Sequence, residues 1–188
     1  MMKRYLLLLG MTTALTACVT NIKPDVSQNP PPTERLANFQ HFKLLPLTAS
    51  GDAKGDTEAL QKIQGNLQNK LQPMISGWES QGADGRTLQI EPVVTQLKFV
   101  STGARIMGGA FAGSSAVVMK LRLVDVSTGK VVADAEFFQR AAAMGGAYSL
   151  GGSDVGMLER IATVSQEYLQ HNYQQAVGGP TGLAEEAK

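Results

Sequence analysis

The chain predicts an α+β fold in the order β-α-β-β-β-α: one mostly antiparallel sheet of about four strands, with two helices packed on one face. Three observations predict it. Apolar residues alternate strictly along residues 117–123 and again along 131–137, with a Ser-Thr-Gly turn between them, as in a hairpin. Two other stretches, one before and one after the strands of the central region, repeat their apolar residues every three or four positions, as helices do. The single strand before the first helix completes the order.

Within the domain, residues 42–47 (Phe-Lys-Leu-Leu-Pro-Leu) form the first strand, whose pairing Pro46 limits near one end. Asp56 is the N-cap of the first helix, where Leu60, Ile63, Leu67, Leu71 and then Met74 or Ile75 recur at helical spacing. Pro73 should kink or end that helix, and Trp78 is read as a core anchor rather than a ligand-stacking platform. In residues 87–100 the apolar positions change phase, from Leu88 and Ile90 to Val93, Leu97 and Phe99. Because strand side chains alternate, such a change requires an extra residue, and Pro92 is the expected bulge. Val117, Met119, Leu121 and Leu123 then make one face, with Lys120 and Arg122 on the other; Val131, Ala133, Ala135 and Phe137 continue that inward face across the turn at Ser127, Thr128 and Gly129. The last helix is capped by Ser153 or Asp154 and carries Leu158, Ile161, Ser165 and Leu169 as its stripe, with Tyr168 and Tyr173 at the edges. The crossover from the first strand through the first helix should be right-handed if its flanking strands are parallel.

Upstream of the domain, Lys3 and Arg4 precede an apolar run over residues 5–9 and then small residues, the three parts of a secretory leader. The run is too short to span a bilayer. Leu15-Thr16-Ala17-Cys18 resembles the lipobox of bacterial lipoproteins, in which the cysteine is acylated and becomes the mature N-terminus; two acyl chains anchor stably. Val19, where inner-membrane lipoproteins tend to carry aspartate, resembles the group sorted to the outer membrane. The resulting division is a signal peptide over residues 1–17, a lipidated Cys18 with a Pro-rich tether to residue 38, a single domain over 39–176 and a disordered tail over 177–188. Four of the eight prolines fall in the tether, which would reach about 25 Å as a coil and about 70 Å if extended.

Charge and composition exclude several functions. Removing residues 1–17 takes Lys3 and Arg4 from 17 basic residues and nothing from 16 acidic ones, leaving a mature charge of −1. The remaining cations are scattered singly, so the concentrated basic face that nucleic acid requires is missing. The single cysteine leaves no disulfide. His41 and His171 stand at opposite ends of the domain, beside no partner at metal-ligand spacing, and no cofactor is implied. No Gly-x-Ser-x-Gly elbow occurs, and Gly151-Gly152-Ser153-Asp154 reads as a helix cap. Asp125 and Glu136 are placed to face each other across the hairpin as a solvated carboxylate pair. Two glycine-rich stretches, residues 103–114 and 144–153, lie at strand ends and are expected to meet there. A strand rather than a helix follows the first, which speaks against a phosphate cradle. They read instead as apolar loops, with Arg105, Met107, Phe111 and Tyr148 as the residues that would dock a partner or touch a bilayer; folding over the sheet end to close the core is the structural alternative.

The succession Gly103-Ala104-Arg105, Gly109-Ala110-Phe111-Ala112-Gly113-Ser114-Ser115, Leu123-Val124-Asp125-Val126-Ser127-Thr128-Gly129-Lys130-Val131 and Gly151-Gly152-Ser153-Asp154 resembles the bacterial lipoprotein family called domain of unknown function 4410. That resemblance implies a secreted, often lipidated α+β domain with no established activity, and it carries over no catalytic residue. The element order is also similar to small envelope-assembly lipoproteins that touch peptidoglycan synthases or build secretion pores, an analogy of fold alone. The expectation is a non-enzymatic, outer-membrane lipoprotein whose periplasmic domain binds an envelope protein. An oligomer gathered at a membrane, and a small-ligand-binding protein or hydrolase, stay open as alternatives.

Overall fold

A computed structural model describes residues 22–79, 85–99, 114–141 and 152–183. In chain order the elements are β1 (Gln28–Asn29), β2 (His41–Leu44), β3 (Thr48–Ala49), α1 (Thr57–Trp78), β4 (Thr87–Lys98), β5 (Ala116–Asp125), β6 (Val131–Arg140), α2 (Gly152–Gln174) and β7 (Gly179–Pro180), with 3-10 turns at Leu36–Asn38 and Gly51–Gly55. The fold is α+β. Strands β2, β4, β5 and β6 lie side by side in that order, β3 also pairs with β4, and β1 and β7 form a separate two-stranded ribbon. The main sheet therefore has five strands rather than four. The difference is made at Pro46, which has no N–H to give: β2 stops at Leu44, and the chain rejoins β4 as β3. Both β2 and β3 run parallel to β4, whereas β4–β5 and β5–β6 are antiparallel.

Both helices cover one face of the sheet with a continuous apolar stripe. Asp56 caps α1, its Oδ1 accepting from the Ala59 amide at 3.1 Å. Ala59, Ile63, Leu67, Leu71 and Ile75 are buried along it. Pro73 does not end the helix, which continues to Trp78. Pro73 and Asn69 both lie on the exposed side, where solvent can satisfy the Asn69 carbonyl that the missing N–H leaves free. Trp78 stacks on Tyr173 with ring centroids 4.2 Å apart and tilts against Phe42 at 5.5 Å, so it anchors the core margin. On α2 the expected stripe of Leu158, Ile161, Ser165 and Leu169 is buried, joined by Met157, Ala162 and Tyr168. Tyr168 is not at the edge: it is 1% exposed and meets Phe137 edge-on at 5.6 Å.

The phase change in β4 is real, but its position is three residues beyond Pro92. Pro92 keeps its place opposite Leu121, and the register shifts between Val94 and Gln96, making Thr95 the extra residue. Leu88, Ile90 and Val94 face the core before the bulge; Leu97 and Phe99 pack against it afterwards. A second shift, at Leu123/Val124 opposite Ala133/Val131, inserts Val132. It turns Val132 inward and leaves Val131 40% exposed, so the inward face of β6 is Val132, Ala133, Ala135 and Phe137 rather than one beginning at Val131. Asp125 and Glu136 do not face each other: Asp125 lies opposite Leu88, and Glu136 lies opposite Lys120.

The Pro-rich segment expected as a free tether is, from Ile22 onward, laid along the outer edge of β6. Ile22 packs with Ala116, Val118 and Phe138 on the face opposite the helices. The Asp25 amide donates to Glu136 Oε2 at 2.6 Å, and the Thr33 amide donates to the Val132 carbonyl at 2.8 Å. Asn29 acts as a one-residue partner strand, its Oδ1 accepting from the Glu136 amide at 2.7 Å and its Nδ2 donating to the Glu136 carbonyl at 2.8 Å. The Tyr168 hydroxyl donates to the Pro30 carbonyl at 3.3 Å, and burial pushes its pKa up to about 12. The expected tail is also packed through residue 183. The Phe138 amide donates to the Thr181 carbonyl at 2.7 Å, β7 pairs with β1, and Asn172 Oδ1 accepts from the amides of Val177 and Gly178. An unpaired strand edge is a liability, and residues 22–33 together with 177–183 close this one.

Candidate functional site

The register places the bases of both glycine-rich stretches together. Lys98 at the end of β4 pairs with Ala116 at the start of β5, and Ala116 pairs with Arg140 at the end of β6. The connections after β4 and after β6 therefore leave the same end of the sheet. Leu97 and Phe99 lie partly buried there against the core. Arg140 lies over the Phe138 ring at 5.6 Å. Arg160 on α2 donates from Nε to Gln139 Oε1 at 2.9 Å and from its guanidinium to the Arg140 carbonyl at 2.8 Å. Arg105, Met107, Phe111, Tyr148 and Cys18, the residues singled out for docking and lipidation, lie outside the described residues.

At the opposite, hairpin end stands a charge network that joins the N-terminal segment to the sheet. Arg86 donates two hydrogen bonds to Glu34, at 2.7 and 2.8 Å, and one to Asp125 Oδ2 at 2.7 Å, with its guanidinium 4.3 Å above the Phe39 ring. Asp125 also accepts from the Ser127 amide and hydroxyl and from the Thr128 hydroxyl, which folds the turn. Hydrogen bonds from Ser127 and then Arg86 hold the Asp125 carboxyl far below the usual carboxylate range, and the Arg86 bond likewise lowers Glu34. All of this shifted acidity comes from hydrogen bonds among Glu34, Arg86 and Asp125 and their neighbours Asn38, Ser127 and Thr128, which makes the network a clasp.

Two further features have a shape that chemistry could use. The His41 ring nitrogen Nδ1 lies 3.0 Å from Glu79 Oε1, while Glu79 Oε2 accepts from the Phe42 amide at 3.2 Å. His41 Nε2 is buried and has no hydrogen-bond partner among the described residues. The dyad has the orientation of a general base held by a carboxylate, but no hydroxyl or thiol hydrogen-bonds to its free nitrogen, and Glu79 doubles as a cap on the edge amide of β2. A shallow cleft of about 310 Å³ is lined by Leu47, Thr57, Leu60, Gln61, Gln64, Gly65 and Gln68. Its polar groups are neutral amides and one hydroxyl, with no acid, base or nucleophile of shifted acidity converging on it. Among the described residues no group of three His, Cys, Asp or Glu side chains could hold a metal ion, and no helix is long and apolar enough to cross a membrane.

Sequence reading missed the Glu34–Arg86–Asp125 clasp and the His41–Glu79 pair. Asp-x-Ser-Thr-Gly is a legible side-chain turn, but nothing local connects Glu34 to Arg86 or His41 to Glu79.

No family model matches the chain, the one for domain of unknown function 4410 included, and no curated protein matches it. Similar solved structures include a PelC dodecamer from Paraburkholderia phytofirmans, 16% identical with a TM-score of 0.44 over 71% of this chain and 91% of that one. A Xanthomonas campestris protein of family DUF330 is 12% identical with a TM-score of 0.44 over 80% and 95% of the two chains. A candidate lipoprotein from Caulobacter crescentus is 14% identical with a TM-score of 0.33 over 73% and 89%.

Proposed function

We propose that the chain is a bacterial envelope lipoprotein, fastened to the outer membrane through acylated Cys18, whose domain serves in the periplasm as a non-enzymatic binding module. The observation that carries this reading is the run Leu15-Thr16-Ala17-Cys18 directly after a charged and then apolar leader, in a chain whose one cysteine it uses. The partner is an envelope protein that docks on the sheet end where Arg105, Met107, Phe111 and Tyr148 would stand. Supporting it are the meeting of the strand ends at Lys98, Ala116 and Arg140 and the neutral cleft with no converging acid or base.

The test has two arms. Mass spectrometry of the protein purified from bacterial membranes should find an N-terminal peptide that begins at Cys18 and carries acyl chains; an N-terminus intact at Met1 overturns the anchor. Photo-crosslinkers placed at Phe111 and Tyr148 in living cells should trap a discrete adduct of defined mass, and their failure to trap any protein overturns the docking assignment.

A further inference from the structure

The docked N-terminal segment leaves almost no slack between the anchor and the body. Ile22 is 8% exposed and held against Ala116, Val118 and Phe138. From Cys18 to Ile22 the chain takes four Cα-to-Cα steps, which at about 3.3–3.6 Å per residue span at most roughly 14 Å. Ala116 is the first residue of β5, paired with Lys98 and Arg140, so Ile22 sits at the sheet end rather than at its middle. The hairpin end, marked by Asp125 at the last residue of β5, is nine strand steps away, about 30 Å at roughly 3.4 Å each. From Ile22 the segment runs away from the anchor along β6, reaching Glu136 at Asp25 and Val132 at Thr33.

We propose that the sheet end carrying Lys98, Ala116 and Arg140 rests on the membrane surface that holds Cys18, and that the Glu34–Arg86–Asp125 end points away from it. The inference deepens the lipoprotein reading and depends on it for the anchor. Charge at this end is mixed: Lys23, Lys98, Arg140 and Arg160 stand there with Asp25, Asp154, Glu159 beside Arg160, and Asp52 and Asp56 on the turn that follows β3 along β4, so chain length and the seat of Ile22 carry the orientation. A free tether reaching about 25–70 Å would give no preferred orientation. An anchor within roughly 14 Å of Ile22 holds that end near the bilayer, whereas nothing holds the far end, about 30 Å away, to the surface. Any partner of this end must then share the membrane or its headgroup layer.

The test places a fluorophore through an azide-bearing amino acid at Gln96, exposed near the proposed membrane end, or at Lys130, exposed beside the hairpin turn. The full mature chain is reconstituted in phosphatidylglycerol-containing vesicles with nitroxide-headgroup lipid. Quenching at position 96 should exceed that at position 130 several-fold, and Ile22→Asp or a twelve-residue Gly/Ser insertion after Asn21 should bring the ratio toward one. Equal quenching at the two positions in the unmodified chain, quenching at neither, or stronger quenching at 130 overturns the proposal. The mass of the N-terminal peptide is measured on the same sample. If acylation is absent, the lipoprotein reading fails separately, and the orientation is read with Cys18 coupled to a maleimide lipid, under the same outcomes.

Discussion

Replacing Asn29 by alanine should lower the stability of the mature chain by about 2–4 kcal/mol, because this one side chain stands in for a missing strand. Asn29 is 4% exposed and Glu136, whose amide and carbonyl it pairs at 2.7 and 2.8 Å, is 5% exposed. Each hydrogen bond contributes about 1 kcal/mol net, and leaving a buried amide or carbonyl unpaired costs about 1–3 kcal/mol. Two orphaned groups at a strand edge, at the lower part of that cost each, give that range. Against a total of roughly 5–15 kcal/mol for a domain this is a large loss. With a urea slope of about 2 kcal/mol/M, the unfolding midpoint should fall by about 1–2 M. Asn29→Asp is the sharper companion: it keeps the acceptor for the Glu136 amide but turns a second carboxylate oxygen toward the Glu136 carbonyl, so it should rescue little. Hydrogen exchange supplies the site-specific readout, since the Glu136 amide should be strongly protected in the wild type and lose that protection in Asn29→Ala. A midpoint change worth under about 0.5 kcal/mol, together with unprotected exchange at Glu136 in the wild type, would show that residues 22–33 are a loose tether and refute the docked-segment argument.

Three further outcomes follow from the same geometry. Leu67→Ala, at a position with no exposure in the centre of α1, should cost about 2–5 kcal/mol in urea unfolding, and a loss under about 1 kcal/mol would show that α1 does not pack as described. Glu34 and Asp125 have folded pKa values below their unfolded values of about 4.3 and 3.9, so their contribution is complete above those values and is lost as pH falls through the folded ones; stability should drop below about pH 4, and Arg86→Gln should flatten that drop in melts collected from pH 2 to 6. Gly178→Ala should destabilise more than Gly129→Ala: both have positive φ, at about 1–2 kcal/mol of strain each, but a Cβ at Gly178 would collide with the Asn29 carbonyl oxygen, while one at Gly129 meets nothing within 4 Å; equal melting temperatures for the two variants would contradict the clasp between the chain's ends.

The elements that sequence reading places correctly are those written in a local period. The α1 stripe, the β5 alternation and the turn at Ser127, Thr128 and Gly129 depend on residues within one or two turns of each other, and each appears where its spacing puts it. The parity change in β4 announces an extra residue but does not say which, because only the pairing with β5 marks it: Val93 stands opposite Lys120, and Thr95 has no residue opposite. Proline content explains the remaining error. Three consecutive prolines dictate an extended backbone with unused carbonyls, and such a backbone is equally fit to drift in solvent or to lie along a strand edge. The choice is made by Asn29, Thr33 and Glu34, whose partners Glu136, Val132 and Arg86 lie 52 to 107 residues away, too distant for any window to register. The candidate site is legible only as a place: strand ends give its base, whereas the docking residues named from sequence fall outside the described segments.

Edge closure also bears on how this domain can meet a partner. On β6 the hydrogen-bonding groups of Val132, Glu136 and Phe138 are taken by Thr33, Asn29 and Thr181. At the other margin β2 is four residues long, the Phe42 amide is held by Glu79 and the Leu47 amide by Gln64. A partner that added a strand would have to displace those groups first, at a cost comparable with the Asn29→Ala loss on the β6 side. Side-chain docking at the sheet end requires no such displacement. Removing Asn29 should therefore do two things together: weaken the fold and expose an edge that pairs with other chains, seen as concentration-dependent association of Asn29→Ala well below its unfolding midpoint.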